Sequence, residues 1–210
     1  MLSQRMLKSS RGFSLTELMI VLAIMGVLLA LAAPSFSRWI SNAKIRTAAE
    51  AVLSGLQLAR TEALNRNAIM RFQLTTTVDD SCAFSDAGPS WVVSRDEAAG
   101  QCGATPVISD TTVGGNPMPP PRIFQTYDGT QAGGEGAQID AAGQVVFTFN
   151  GMGRLTFPIT NASIQVYGVQ GENGCIAGGG KDRCMRIDIS QGGGIKLCDP
   201  SLPTTNVQAC

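Results

Sequence analysis

Three hydrophobic patterns follow one another along the 210 residues. From Leu18 to Ser37 apolar and small residues run without a charge: LMIVLAIMGVLLALAAPSFS. With Phe13–Glu17 in front, the stretch is about 25 residues, a length that crosses a bilayer as a helix. The second pattern is amphipathic. Ile45, Ala48, Val52, Leu56, Ala59 and Ala63 recur at spacings of three and four, with Arg46, Glu50, Arg60 and Arg66 around them. Together these predict one long helix, about Leu15 to Asn65, that spans a membrane and then supports a domain. Pro34 is expected to kink it, because proline removes an intrahelical hydrogen bond. After Asn67 the period changes to two. Met70–Thr76, Trp91–Arg95, Arg122–Thr126, Val145–Asn150, Arg154–Phe157, Ile164–Tyr167, Met185–Ile189 and Ile195–Cys198 read as short strands. Asn150–Gly153 reads as a hairpin turn, Gly114–Pro121 as a loop, and Gly178–Gly180 and Gly192–Gly194 as turns rather than phosphate cradles. The predicted fold class is α+β: a long N-terminal kinked helix, its first half membrane-spanning, packed on a mostly antiparallel β-sheet domain. The expected divisions are 1–12 as a leader, 13–37 as the membrane helix, 38–67 as its amphipathic half, and 68–210 as a disulfide-bonded, β-rich globular domain.

Charge and cysteine usage sharpen this picture. Arg5, Lys8 and Arg11 are the only charges before Glu17. Without residues 1–12, 13 basic residues remain of the 16, against 16 acidic ones. A product of net charge about −3 is not built to neutralise many phosphates. There is no histidine. That removes the commonest general base and the commonest metal ligand, so no catalytic residue, metal or cofactor is expected. Asp79-Asp80 and Asp96-Glu97 are adjacent acidic pairs, but neighbours on a strand point to opposite faces. All six cysteines, Cys82, Cys102, Cys175, Cys184, Cys198 and Cys210, follow the apolar run, and none forms a C-x-x-C pair. An even count in an exported segment reads as disulfides. Nearest-neighbour pairing gives Cys82–Cys102, Cys175–Cys184 and Cys198–Cys210, one of the fifteen connectivities open to six cysteines.

The N-terminus admits two readings. A secretory signal peptide would use Ala30-Leu31-Ala32 as a small-x-small cleavage site. Glu17 opposes that, because a carboxylate at the membrane entrance is costly without a partner. The sequence Lys8-Ser9-Ser10-Arg11-Gly12-Phe13-Ser14-Leu15-Thr16-Glu17, followed by the apolar run, resembles the class III signal of type IV pilins and pseudopilins. That resemblance implies cleavage between Gly12 and Phe13 by a prepilin peptidase, and methylation of the Phe13 amine. It also implies that Glu17 pairs with the amine of a neighbouring subunit's first residue, an ion pair that fixes register more than it stabilises.

Within that group the chain resembles the GspH/FimT family of minor pilins and pseudopilins. The residues that carry this are Ala59–Asn67, the Phe149–Gly153 hairpin, Arg186–Ser190 and Lys196–Pro200. The Cys198-Asp199-Pro200 ending is similar to minor pilins of type IV pili. The implied function is a structural subunit that starts or caps a type IV pilus. The alternatives are a GspH-like pseudopilin of a type II secretion system and a FimT-like DNA-binding minor pilin. Implied partners are other pilins or pseudopilins, prepilin peptidase, a platform protein and an assembly ATPase. The implied place is the bacterial inner membrane, single-pass, with the N-terminus cytoplasmic and the globular domain periplasmic or carried out in the pilus. The DNA-binding branch uses a Gly-Arg-x-Arg motif, where this chain has Gly194-Ile195-Lys196-Leu197. Both arginines are missing. Lys181, Arg183, Arg186 and Lys196 are the cations left for a weak nucleic-acid patch, and DNA is disfavoured as a partner.

Overall fold

The computed structural model describes residues 13–86, 90–107, 112–113, 116–130, 136–168 and 170–210, with backbone alone at 32–35, 112–113 and 116–117. The leader and Gly12 lie outside the described residues, as does the side chain of Pro34. Helix α1 runs Leu15–Arg66. The chain divides into two compact units, Met1–Arg38 and Trp39–Cys210.

In the first unit, α1 carries its large apolar side chains outward on every side, from Leu15 to Leu31. Among the described residues no uninterrupted helix is long and apolar enough to cross a membrane. Leu15–Leu31 and Phe36–Arg66 meet that test only as a pair.

In the second unit, α1 has one buried stripe. Ile45, Ala48, Ala49, Val52, Leu56, Ala59 and Ala63 are all at most 6% exposed. Two antiparallel sheets pack against it, where the sequence predicted one. The first has the order β5-β2-β1-β7-β8, built from β1 (Met70–Thr75), β2 (Ser90–Ser94), β5 (Ile123–Tyr127), β7 (Val146–Phe149) and β8 (Leu155–Phe157). The second has the order β11-β10-β9-β6, built from β6 (Ala137–Asp140), β9 (Ala162–Gly168), β10 (Met185–Ile189) and β11 (Ile195–Cys198). The division falls after β8. There the Leu155 N–H goes to Gln191 O, in the β10–β11 turn, rather than to a further strand. Phe72, Trp91, Phe147 and Phe149 from the first sheet meet Ile139, Ile164, Val166 and Ile187 from the second around the helix.

Strand β1 is buried along both faces, so its alternation is blurred. One face meets α1. The other lies beneath the segment that follows β2, which Gln73 holds. Its amide nitrogen donates to Ser94 Oγ (2.5 Å) and Asp96 O (3.0 Å), and its oxygen accepts from Ala98 N (3.2 Å). These bonds satisfy a fully buried amide that would otherwise cost free energy. The Cys82–Cys102 bond ties the β1–β2 connection to that segment, next to Val92 and Ile123.

Helix α1 ends where Asn67 takes a left-handed conformation, φ 46°. The Ala68 N–H then bonds back to Ala63 O. The Asn150–Gly153 turn forms as expected: Asn150 Oδ1 accepts from Met152 N and Arg154 N, and Gly153 has φ +69°. The stretch Gly114–Pro121, read as a loop, contains one strand of the short pair β3 (Thr112–Val113) and β4 (Asn116–Pro117). Strand β6 was absent from the sequence reading, because Ala-Gln-Ile-Asp offers a single large apolar residue.

Candidate functional site

Two parts of the molecule bear on function: the start of α1, and the C-terminal region around Asp199. At the start of the helix, Phe13 is 82% exposed. Ser14 caps α1, its Oγ accepting from the Glu17 N–H (3.2 Å). Glu17 is therefore the third residue of the helix, in the first turn, where the helix dipole favours a negative charge. Ser14-Leu15-Thr16-Glu17 is the spacing of a capping box, a sequence signal that the reading for export passed over. Around and beyond it, Phe13, Leu15, Leu18, Leu22, Val27 and Leu31 are each more than half exposed. A contiguous apolar surface of this kind belongs against lipid or other apolar helices.

The cysteines are joined as Cys82–Cys102, Cys175–Cys184 and Cys198–Cys210. Cys198 and Cys210 lie with Asp188 in one small cluster, but as a disulfide they offer no thiolate to a metal. Cys198–Cys210 closes a tail that is also held by Asp199 N to Gln208 O (2.8 Å) and Lys196 Nζ to Ala209 O (2.9 Å).

The four candidate cations do not point into one open patch. Arg186 makes a two-point pair with Asp188 (2.9 and 3.2 Å). Arg183 gives Nε and one Nη to Asp199 (3.1 and 2.7 Å), and Lys196 goes to the Ala209 carbonyl. Lys181 is exposed. Sequence reasoning missed Asp199, whose side chain is only 4% exposed. Burial pushes its pKa up, but hydrogen bonds from the Ser201 hydroxyl and N–H and from Arg183 outweigh that, and the carboxyl lies below its ordinary value. Asp96 is held below the carboxylate range by its Arg122 pair, against the opposing effect of burial. The acidic pairs are not on strands: Asp79 accepts from Thr77 and Ser81, Asp80 from Gly103 N, and Asp96 from Arg122. They are occupied in turns rather than facing each other.

A family model described as "Type II transport protein GspH" matches residues 48–193, well over half of the chain. The chain belongs to the GspH family. A second model, the prokaryotic N-terminal methylation motif, matches residues 7–33. The two matches make this GspH-family chain a minor pilin or pseudopilin, a membrane-anchored structural subunit that works with other pilins or pseudopilins. Two crystal forms of the Pseudomonas aeruginosa PAO1 type IV minor pilin FimU are similar to it. One is 19% identical with a TM-score of 0.42, covering 79% of this chain and 98% of that one. The other is 18% identical with a TM-score of 0.45, covering 79% and 94%. No curated protein matches the chain in sequence.

Proposed function

We propose that the chain is a minor pilin that helps start or cap a type IV pilus. Prepilin peptidase cuts between Gly12 and Phe13, and the new Phe13 amine is methylated. The apolar helix crosses the inner membrane once, with the globular domain on the periplasmic side, then packs among other pilin helices under the platform protein and assembly ATPase. The observation that carries this reading is the start of α1. Large apolar side chains face outward on every side, and one carboxylate, Glu17, stands four residues after Phe13. Such a surface is stable only against other apolar surface, and such a carboxylate finds its counter-charge in a neighbour's amine.

Processing is tested by intact mass and N-terminal sequence of the protein from membranes containing prepilin peptidase. A membrane-bound chain starting at methylated Phe13 is expected. A soluble chain starting near Ala33 would replace this reading with that of an ordinary secreted protein. The second reading, a pseudopilin of type II secretion, is favoured by the family model's own description. The Cys198-Asp199-Pro200 ending, closed by Cys210, supports the pilus instead. Deleting the gene separates them: loss of surface pili with intact protein secretion is expected, and the reverse result assigns the chain to secretion.

A further inference from the structure

Each cysteine is joined to its neighbour along the chain, so no disulfide encloses or crosses another. Of the fifteen connectivities open to six cysteines, this is the one in which every loop closes before the next begins. The loops span 20 residues for Cys82–Cys102, 9 for Cys175–Cys184 and 12 for Cys198–Cys210.

Chain entropy alone does not select this pattern. Cys184 and Cys198 are 14 residues apart. Closure cost rises only with the logarithm of loop length, so a 9-residue loop is favoured over a 14-residue one by about twofold, and a 12-residue loop by less. In a fully reduced chain Cys184–Cys198 competes with both native bonds, and it would leave Cys175 and Cys210 without their partners.

Local structure and order of emergence remove that competitor. Gly180 N donates to Cys175 O (2.8 Å), Lys181 N to Gly174 O (2.9 Å) and Ile176 N to Asp182 O (2.9 Å), so 174–182 folds back on itself before Cys198 is needed. Asp199 N to Gln208 O and Asn206 N to Pro203 O, both 2.8 Å, do the same between Cys198 and Cys210. The first pair draws on α1, β1 and β2, which all precede Cys102, and Gly100 N donates to Cys82 O (2.9 Å). Cys175 follows Cys102 by 73 residues. At about 5–20 residues per second of synthesis, the first pair has roughly 4–15 s alone, and the second roughly 1–3 s before Cys198 appears.

We infer that this chain is a substrate for stepwise oxidation, from its N-terminal pair to its C-terminal one, by a periplasmic dithiol oxidase, and that it needs no disulfide isomerase. The inference rests on the export read above. In each step a chain thiolate attacks the oxidase disulfide to form a mixed disulfide. The chain's second thiolate then attacks the chain sulfur of that bond and releases the oxidase as a dithiol. Two chain thiols lose two electrons and two protons, and the oxidase gains both.

The test compares the full chain from cells with and without the periplasmic isomerase, its free thiols blocked and the protein digested with trypsin without reduction. The native bonds give 72–95 joined to 96–122, 155–181 joined to 184–186, and 197–210 closed within itself. These species alone are expected from both cell types. Full chain reduced, unfolded in urea, and then diluted into detergent with the oxidised oxidase should also give 184–186 joined to 197–210, since all six thiols are then free together. Cys175→Ser, which leaves Cys184 unpaired, should produce that same cross-link in cells without the isomerase. The cross-link in wild-type chain from those cells overturns the inference. Its absence from both the refolded chain and Cys175→Ser overturns it too, because the order of emergence would then protect against nothing. Six blocked thiols in both cell types would refute the export reading and this inference with it.

Discussion

Gly55 sets how closely α1 approaches the first sheet. It is buried, and a Cβ there would lie 2.7 Å from Phe72 Cε2 and 2.9 Å from Trp91 Cε2 and Cζ2. Carbon atoms in contact prefer about 3.5–4.0 Å. The rings have nowhere to retreat. Phe72 is 0% exposed, with the Trp91 and Phe147 rings 5.5 and 6.2 Å away, and Trp91 is stacked at 5.4 Å on Tyr127. Gly55→Ala therefore sets two effects against each other. The gain in helix propensity is about 1 kcal/mol. The overpacking cost is about 1–3 kcal/mol, and belongs at the upper end because both neighbours are rigid, enclosed rings. The expected net loss is about 1–2 kcal/mol, or a fall in Tm of roughly 2–8 °C for a domain of this class. Near-UV circular dichroism of the full chain in detergent, followed on heating, reads it. Ser54→Ala is the control, since Ser54 is exposed and gains propensity without overlap. A Tm for Gly55→Ala equal to or above wild type refutes the argument that the missing Cβ fixes this spacing.

Acid should weaken the fold through Asp96 and Asp199, whose folded pKa values lie below the ordinary one. Their contribution is complete above the unfolded value near 4 and is lost as pH falls through the folded values, so urea midpoints should drop as the pH is taken below about 4. Unchanged midpoints there would remove both networks from the stability account. Cys210→Ser should free the tail after Asp199 to proteolysis while leaving the helix–sheet core intact, read by limited digestion and mass; an uncut tail would show that its backbone bonds suffice. Gly193→Ala, at φ +84° and with its Cβ driven into the Gly153 carbonyl, should destabilise by about 2 kcal/mol or more, measured by urea unfolding. Glu17→Gln should leave processing at Gly12–Phe13 intact but lower incorporation into pili, since glutamine keeps the capping spacing and loses only the charge; normal incorporation would limit Glu17 to its place in the helix's first turn.

Elements that bury one face were legible in the sequence, because burial on one face leaves a period. The stripe Ile45–Ala63 and strands such as β7, β9 and β10 fall where the periodicity put them. Strand β6 left little period to read, since Ala137 and Ile139 are its only buried residues. The split into two sheets is equally hidden, for it depends on which strands pair, and local periodicity does not say that. The four cations looked like a patch because they are near in sequence. What removes three of them is cross-strand placement: Asp188 beside Arg186, Asp199 folded under Arg183, and the Ala209 carbonyl brought to Lys196 by the tail. None of those contacts follows from local spacing. Glu17 was legible as an anomaly of charge, whereas its place in a capped first turn depended on Ser14, a residue that looks like filler in an apolar run.

The two stretches of α1 differ most in the size of their apolar residues, and that difference identifies what each one faces. Between Leu18 and Leu31 the side chains are Leu, Ile, Met and Val on all sides, a helix hydrophobic all round. Between Ala48 and Ala63 the buried positions are narrow: Ala48, Ala49, Gly55, Ala59 and Ala63, with only Val52 and Leu56 projecting. Large side chains all round suit a surrounding without a fixed shape, such as acyl chains or a set of helices still to be chosen. Small side chains on one face suit a single, permanent partner that must come close, and here that partner is a pair of sheets whose aromatic rings fill the space. The change falls between Ser37 and Ile45, where Arg38, Trp39, Lys44 and Arg46 are gathered. Indole rings are enriched where a helix passes from one solvent to another, and long cationic side chains reach back to such a boundary; this helix carries Trp39, Lys44 and Arg46 there.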